Sequence, residues 1–61
     1  MSEFSMNELA ACARRELAYR RRVYPRLVGR GSMETKEAQR QIALMAAIVE
    51  LLSEKEQPEL L

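Results

Sequence analysis

Apolar residues recur every three to four positions over two stretches of the chain, one on each side of a short polar segment. In the first stretch these positions are Met6, Leu9, Ala13, Leu17, Tyr24 and Leu27 or Val28. In the second they are Ala38, Ile42, Met45, Val49 and Leu52. At about 100° per residue, each set forms one stripe of an amphipathic helix. The pattern predicts helices over about residues 6–28 and 35–54, a turn at 29–34 and a frayed tail at 55–61.

The sequence also predicts where the first helix begins and how its single proline affects it. Ser5 and Glu8 have the spacing of a capping box, in which each side chain bonds the backbone N–H of the other. Pro25 removes one backbone hydrogen bond from the helix, yet the apolar stripe continues beyond it. We therefore expect one helix that is kinked near Pro25, and a break at that residue is the alternative.

The connection between the helices reads GRGSMET, residues 29–35. Gly29 suits the left-handed position that follows a helix C-terminus. Ser32 or Thr35 is expected to cap the second helix. A connection of this length joins antiparallel neighbours, so the sequence predicts an all-α fold, a two-helix antiparallel hairpin.

A further set of apolar residues lies outside the stripes that a hairpin would bury. Leu44, Ile48 and Leu51 form another stripe, about 100–120° around the second helix from the first. The first helix has a smaller counterpart in Cys12, Tyr19 and Val23. One hairpin cannot bury both stripes of the second helix. We therefore expect a homodimer, a four-helix bundle in which the self-association residues are Leu44, Ile48, Leu51, Tyr19 and Val23. A different protein that supplies the missing surface is the alternative.

Basic residues are concentrated in the first half of the chain. The net charge is +1, but residues 1–31 hold seven arginines and three glutamates, whereas residues 32–61 hold three basic and six acidic side chains. Five arginines project opposite the first apolar stripe, and we call them the arginine ridge: Arg14, Arg15, Arg21, Arg22 and Arg26. We interpret the ridge as a solvated helix face, with Arg26 and Arg30 near Glu34 and Glu37 across the turn. A surface for nucleic acid or for an acidic protein is the alternative. Arg20 lies within the stripe and is expected to pair with Glu16, four residues earlier.

The chain offers little reactive chemistry. It has no histidine or aspartate, and Cys12 is its single cysteine, which we expect to act as a small apolar residue. We therefore expect no enzymatic activity, no metal site and no cofactor. The chain shows no signal-peptide pattern and no apolar run of bilayer length, and a single cysteine suits a reducing compartment. These features favour the cytoplasm.

The stretch from Arg14 to Ile48 resembles a recurrent group of small phage and prophage proteins. Their pattern is roughly R-R-x-V-Y-P-x-L-V, a turn that contains glycine, and A-x-x-Q-I-A-x-M-x-A-I. Here the two parts fall on RRRVYPRLV at residues 20–28 and AQRQIALMAAI at residues 38–48. Where the group usually has serine or threonine as the helix cap, this chain has Glu34. The helix therefore begins more weakly, or the cap moves to Ser32 or Thr35.

The resemblance implies a phage-type accessory protein in the cytoplasm of a bacterial host, and it implies no particular activity. We expect a small non-enzymatic protein that self-associates and acts by binding another protein, as an adaptor or an inhibitor. The alternative from a different class is a nucleic-acid-binding accessory factor that uses the arginine ridge.

Overall fold

The computed structural model describes residues 3–58, which form two helices, α1 (Met6–Gly29) and α2 (Thr35–Glu54). The two helices pack against each other along their length. They are antiparallel, because the Asn7 side chain near the start of α1 bonds the backbone of Gln57, while Arg20 bonds the carbonyl oxygen of Gln41. The predicted all-α fold and two-helix hairpin are confirmed.

The capping box at the start of α1 is present. The Ser5 hydroxyl accepts a hydrogen bond of 3.1 Å from the Glu8 backbone N–H, and the Glu8 carboxylate accepts one of 2.9 Å from the Ser5 backbone N–H. Two backbone donors that lack a partner within the helix are thereby satisfied.

Helix α1 continues through Pro25 and ends at Gly29. Pro25 is exposed and lies beside Ala38 and Ile42 of α2, with which it lines a shallow groove. The alternative of a break at Pro25 is therefore wrong. The kink expected there stays a prediction.

The end of α1 corrects the prediction for the glycines. Gly29 is still helical, and Gly31 is the residue with a positive φ, of 77°. The Ser32 N–H donates to the Leu27 carbonyl oxygen at 2.8 Å, and the Gly31 N–H donates to the Val28 carbonyl oxygen at 3.0 Å. These two bonds make a Schellman motif with Gly31 at its left-handed position, two residues later than expected.

The start of α2 lacks the expected cap. The N-cap position is occupied by Glu34, and no side chain there bonds the free backbone donors of the first turn. The prediction that Ser32 or Thr35 caps this helix is wrong. Thr35 is already the first residue of α2, and Ser32 takes part in the Schellman motif instead. Glu37 still places a negative charge in the first turn, where the helix dipole favours it.

The core between the helices is narrow. Ala13, Leu17 and Met45 form its centre. Apolar side chains of α2 pack against them while partly exposed: Ile42, Ala46, Val49 and Leu52. Ala10 and Ala38 are also buried, and of these two only Ala38 belongs to the predicted stripes. No large side chain among residues 3–58 is fully buried, because two helices alone enclose little volume.

The segment after α2 is bound to α1. The Arg14 guanidinium forms two hydrogen bonds, of 2.9 and 2.8 Å, with the two carboxylate oxygens of Glu56. The Asn7 amide accepts from the Gln57 backbone N–H at 2.8 Å and donates to the Gln57 carbonyl oxygen at 3.1 Å. Glu56 and Gln57, which lie in the tail expected to fray, therefore have partners on α1, and the fraying itself stays a prediction. The last part of the predicted tail, residues 59–61, lies outside the described residues.

Candidate self-association surface

Several large apolar side chains outside the core are strongly exposed. Tyr19 is 47% exposed, Leu44 and Ile48 are each 44% exposed, and Leu51 is 54% exposed. The fifth predicted self-association residue, Val23, is partly buried. Together the five residues form what we call the apolar side face. Cys12 is exposed as well, beside the α1 part of this face on the helical wheel.

The two helices contribute their exposed apolar residues to the same side of the hairpin. Arg20 lies on the flank of α1 that turns from the core towards Tyr19 and Val23. Its guanidinium donates to the carbonyl oxygen of Gln41 at 2.8 Å. Gln41 lies on the flank of α2 that turns from its core stripe towards Leu44 and Ile48. Because these two flanks meet, the exposed apolar residues of α1 and α2 lie on the same side of the hairpin, with the polar contacts of Arg20 and Gln41 between them.

An ion pair lies on the boundary between this face and the core. The Arg20 Nε donates to Glu16 Oε2 at 2.9 Å, and the Arg20 side chain is only 21% exposed. The pairing predicted for these two residues is confirmed. The guanidinium carbon also lies 5.9 Å from the centre of the Tyr24 ring. Arg20 therefore has a charged partner, a backbone acceptor and an aromatic surface, which together compensate for its partial burial.

The shape of the hairpin leaves much surface in water. Its extents are 46 × 19 × 18 Å and its radius of gyration is 14.2 Å, whereas a compact chain of this length has about 10.5 Å. The accessible surface is 5101 Å², against about 4,000 Å² for a monomeric globular protein of the same mass. The excess surface includes the apolar side face.

The five members of the arginine ridge differ in their contacts. Arg14 is bound to Glu56 and to the Ser53 hydroxyl, and Arg22 lies over the Tyr19 ring with its guanidinium carbon 5.8 Å from the ring centre. The other three members form no ion pair within residues 3–58 and point to solvent: Arg15, Arg21 and Arg26. Three side chains of the ridge are therefore available to bind an anion.

Arg26 and Arg30 were expected to lie near Glu34 and Glu37 across the turn. Neither Arg26 nor Arg30 reaches Glu34 or Glu37 within ion-pair distance. The four charged side chains are exposed, and they face water instead of each other: Arg26, Arg30, Glu34 and Glu37. The interpretation of the ridge as a solvated helix face stays a prediction.

The pKa values of Arg14 and Glu56 are both shifted by the contact between them. The Glu56 pKa is lowered from its ordinary value, chiefly because its carboxylate accepts hydrogen bonds from Arg14 and also because of the attraction between the two charges. The Arg14 pKa is raised for the same reasons. Both shifts favour the charged pair. Arg14 is therefore the member of the ridge least available to an outside partner.

The described part of the chain holds no group of three or more potential metal ligands, and no buried side-chain nitrogen or oxygen lacks a hydrogen-bond partner there. Within residues 3–58, neither helix contains a segment long and apolar enough to cross a lipid bilayer. No family model, no curated protein and no solved structure matches the chain.

Proposed function

We propose that this chain is a small non-enzymatic accessory protein that works by protein–protein contact, and that it first associates with a second copy of itself. The two copies bury their apolar side faces against each other and form a four-helix bundle. Four-helix bundles bury the apolar positions of all four helices, whereas one hairpin leaves part of them in water.

The observation that carries the proposal is the exposure of Tyr19, Leu44, Ile48 and Leu51 on one side of the hairpin. Isolated exposed apolar residues are ordinary on protein surfaces, but several large ones that two helices present on one side of a hairpin are typical of an interaction site. A second copy presents the same face, and in a two-fold dimer the same surface of each copy packs on that of the other. The narrow core supports the same proposal, because a single hairpin of this size buries little apolar surface that could stabilise its fold.

Sedimentation equilibrium tests self-association. We expect a species of about 14 kDa at micromolar concentration, twice the chain mass of 7.0 kDa. Changing Ile48 to glutamate places a charge in the middle of the α2 part of the face. Since the buried charge has no partner there, the dimer dissociation constant should rise at least about tenfold.

The matched control is Gln39→Glu. Gln39 is also an exposed residue of α2, and the substitution adds the same charge, but it lies on the side of the helix away from the apolar side face. We expect this variant to dimerise like the unaltered protein. A compact 7 kDa monomer at these concentrations, with a cooperative melting transition, would contradict the proposal.

The resemblance to phage and prophage proteins supports the wider function. A small protein that modifies a host or phage assembly needs a binding surface and no catalytic groups, and this chain has no histidine or aspartate to provide them. We propose the cytoplasm of a bacterial host as the place where it acts. The dimer would present the outer faces of its helices, which include the arginine ridge, to an adaptor or inhibitor target.

A nucleic-acid-binding function is the second candidate, and it rests on Arg15, Arg21 and Arg26, which are exposed and unpaired within residues 3–58. Binding to random duplex DNA should then weaken steeply with salt, because each arginine–phosphate contact releases counterions. Fluorescence anisotropy at low salt tests this. Replacing the three arginines by glutamate should abolish binding, whereas Arg14→Gln should reduce it little. An unaltered protein that shows no binding would remove this candidate.

A further inference from the structure

The charges of the hairpin are separated along its length as well as between its helices. We define the turn half as residues 19–45 and the open half as residues 3–18 with 46–58; Leu17 and Met45, which meet in the core, lie close to the boundary. The turn half holds seven basic and two acidic side chains, a net charge of +5. The open half holds three basic and six acidic side chains, a net charge of −3. The hairpin is thus a rod with a basic turn half and an acidic open half.

Two symmetric dimers can bury the apolar side face. If the two-fold axis runs along the helices, both turns lie at the same end, and α1 of one copy packs on α2 of the other. If the axis runs across the helices, the turns lie at opposite ends, and each helix packs on the same helix of the other copy. Both arrangements bury the same residues. The apolar contacts alone do not choose between them.

We propose that the second copy docks with its turn at the opposite end. This inference rests on the self-association proposed above. In the opposite-end dimer, the basic turn half of each copy lies beside the acidic open half of the other. In the same-end dimer, the two turn halves, each with a net charge of +5, lie side by side. The two open halves, each with a net charge of −3, also lie side by side. Packed helices are about 8–10 Å apart, close to the Debye length at physiological salt, so these charges act on one another.

Electrostatic repulsion between the two copies of α1 opposes the opposite-end dimer, and its strength depends on the distance between the charges. Helix α1 is basic, with six arginines and two glutamates, and the opposite-end dimer packs α1 on α1. Four of those arginines lie in the segment 20–26. With the two-fold axis at the centre of the apolar side face, the centres of the two copies of this segment are about 18 Å apart along the bundle, and their near ends at Arg20 are about 9 Å apart. The separation of the centres is roughly twice the Debye length, so repulsion between them is largely screened. Arg20, at the near end, is paired with Glu16, which offsets its charge.

A distance between the two turns tests the arrangement. Ser32 is exposed at the turn, and Cys12 is the only cysteine, so a nitroxide label can be attached to Ser32→Cys in a Cys12→Ala background. Double electron–electron resonance measures the separation of the two labels. The opposite-end dimer predicts about 40 Å, since each turn lies some 14 residues of helix from the axis at about 1.5 Å per residue. The same-end dimer predicts less than about 25 Å, roughly two helix diameters.

The outcomes separate the two proposals. A short distance in a sedimenting dimer overturns the opposite-end arrangement and leaves self-association intact. A sample with no dipolar coupling that sediments as a monomer overturns self-association itself. Salt provides a second measurement on the unlabelled protein. Between about 50 and 500 mM NaCl, the dissociation constant of an opposite-end dimer should rise several-fold as attraction is screened, and a fall would contradict the arrangement.

Discussion

At the scale of single residues, the capping box makes the stability of α1 depend on pH. The Glu8 pKa is lowered from its ordinary value of 4.5, chiefly because the carboxylate accepts from the Ser5 backbone N–H and also because of the Ser5 hydroxyl. A carboxyl whose pKa is lower in the folded state stabilises that state above its ordinary pKa. This stabilisation is lost as the pH falls through the folded-state pKa.

The change Glu8→Gln therefore has a pH-dependent effect. Between pH 6 and pH 3, the melting temperature of the unaltered protein should fall more steeply than that of the variant, because only the former has this carboxylate to protonate. Circular dichroism melts at several pH values measure the difference. Glu3→Gln removes an exposed carboxylate outside the capping box and should leave the slope closer to that of the unaltered protein. Equal slopes for Glu8→Gln and the unaltered protein would show that the box contributes nothing.

Asn7 binds the backbone of Gln57 through both atoms of its side-chain amide, and this contact gives a second prediction at the residue scale. Asn7→Ala should speed amide hydrogen exchange at Gln57 by about fivefold, the equivalent of roughly 1 kcal/mol for one hydrogen bond. Asn7→Asp keeps the acceptor for the Gln57 N–H and should change that rate less. Exchange monitored by nuclear magnetic resonance measures both rates. An unchanged rate in Asn7→Ala would contradict the contact.

At the scale of elements, the two glycines near the turn should respond to alanine in opposite directions. Gly31 has a φ of 77°, which strains any residue with a Cβ atom, so Gly31→Ala should lower the free energy of unfolding by about 1 kcal/mol. Gly29 is helical, and a Cβ atom there meets nothing within 4 Å. Gly29→Ala should therefore raise the free energy of unfolding by about 0.5 kcal/mol. Urea denaturation of both variants tests the pair, and effects of the same sign would refute the assignment of Gly31 as the terminating residue.

The elements show which features the sequence could predict. The capping box, the α1 boundary at Met6 and the core contacts of Leu17 and Met45 follow from local spacing and helical periodicity, and these were predicted. The same periodicity also identified the residues of α2 that remain exposed. Such features depend on neighbours within one or two helical turns, so the sequence alone contains them.

Other features depend on how the two helices are aligned, and the sequence did not predict them. Gln57 is held by Asn7, 50 positions earlier, and Arg14 reaches Glu56 across a similar separation. The position of the terminating glycine was also missed, because Gly29 and Gly31 both suit a helix end and local sequence does not choose between them. Ala10 was missed as a core residue because its small side chain lies at the edge of the apolar stripe, where close helix contact buries it completely.

At the scale of the whole molecule, the narrow core and the apolar side face make folding and association parts of one equilibrium. If the dimer is the stable species, its melting temperature must depend on protein concentration, which the melting of a monomer does not. A tenfold rise in concentration changes the free energy of a dimer by about 1.4 kcal/mol. Two chains of this length have an unfolding entropy of roughly 0.25 kcal/mol per kelvin.

The melting temperature should therefore rise by about 5–6 °C for each tenfold increase in concentration. Circular dichroism melts over a hundredfold range of concentration measure this slope. Ile48→Glu should lower both the melting temperature and the slope, because the charge opposes burial of the face, whereas Gln39→Glu should keep the slope of the unaltered protein. A melting temperature that stays constant with concentration would mean that one hairpin is stable while Leu44, Ile48 and Leu51 remain in water. In that case a different protein, and not a second copy, would be the partner that covers the apolar side face.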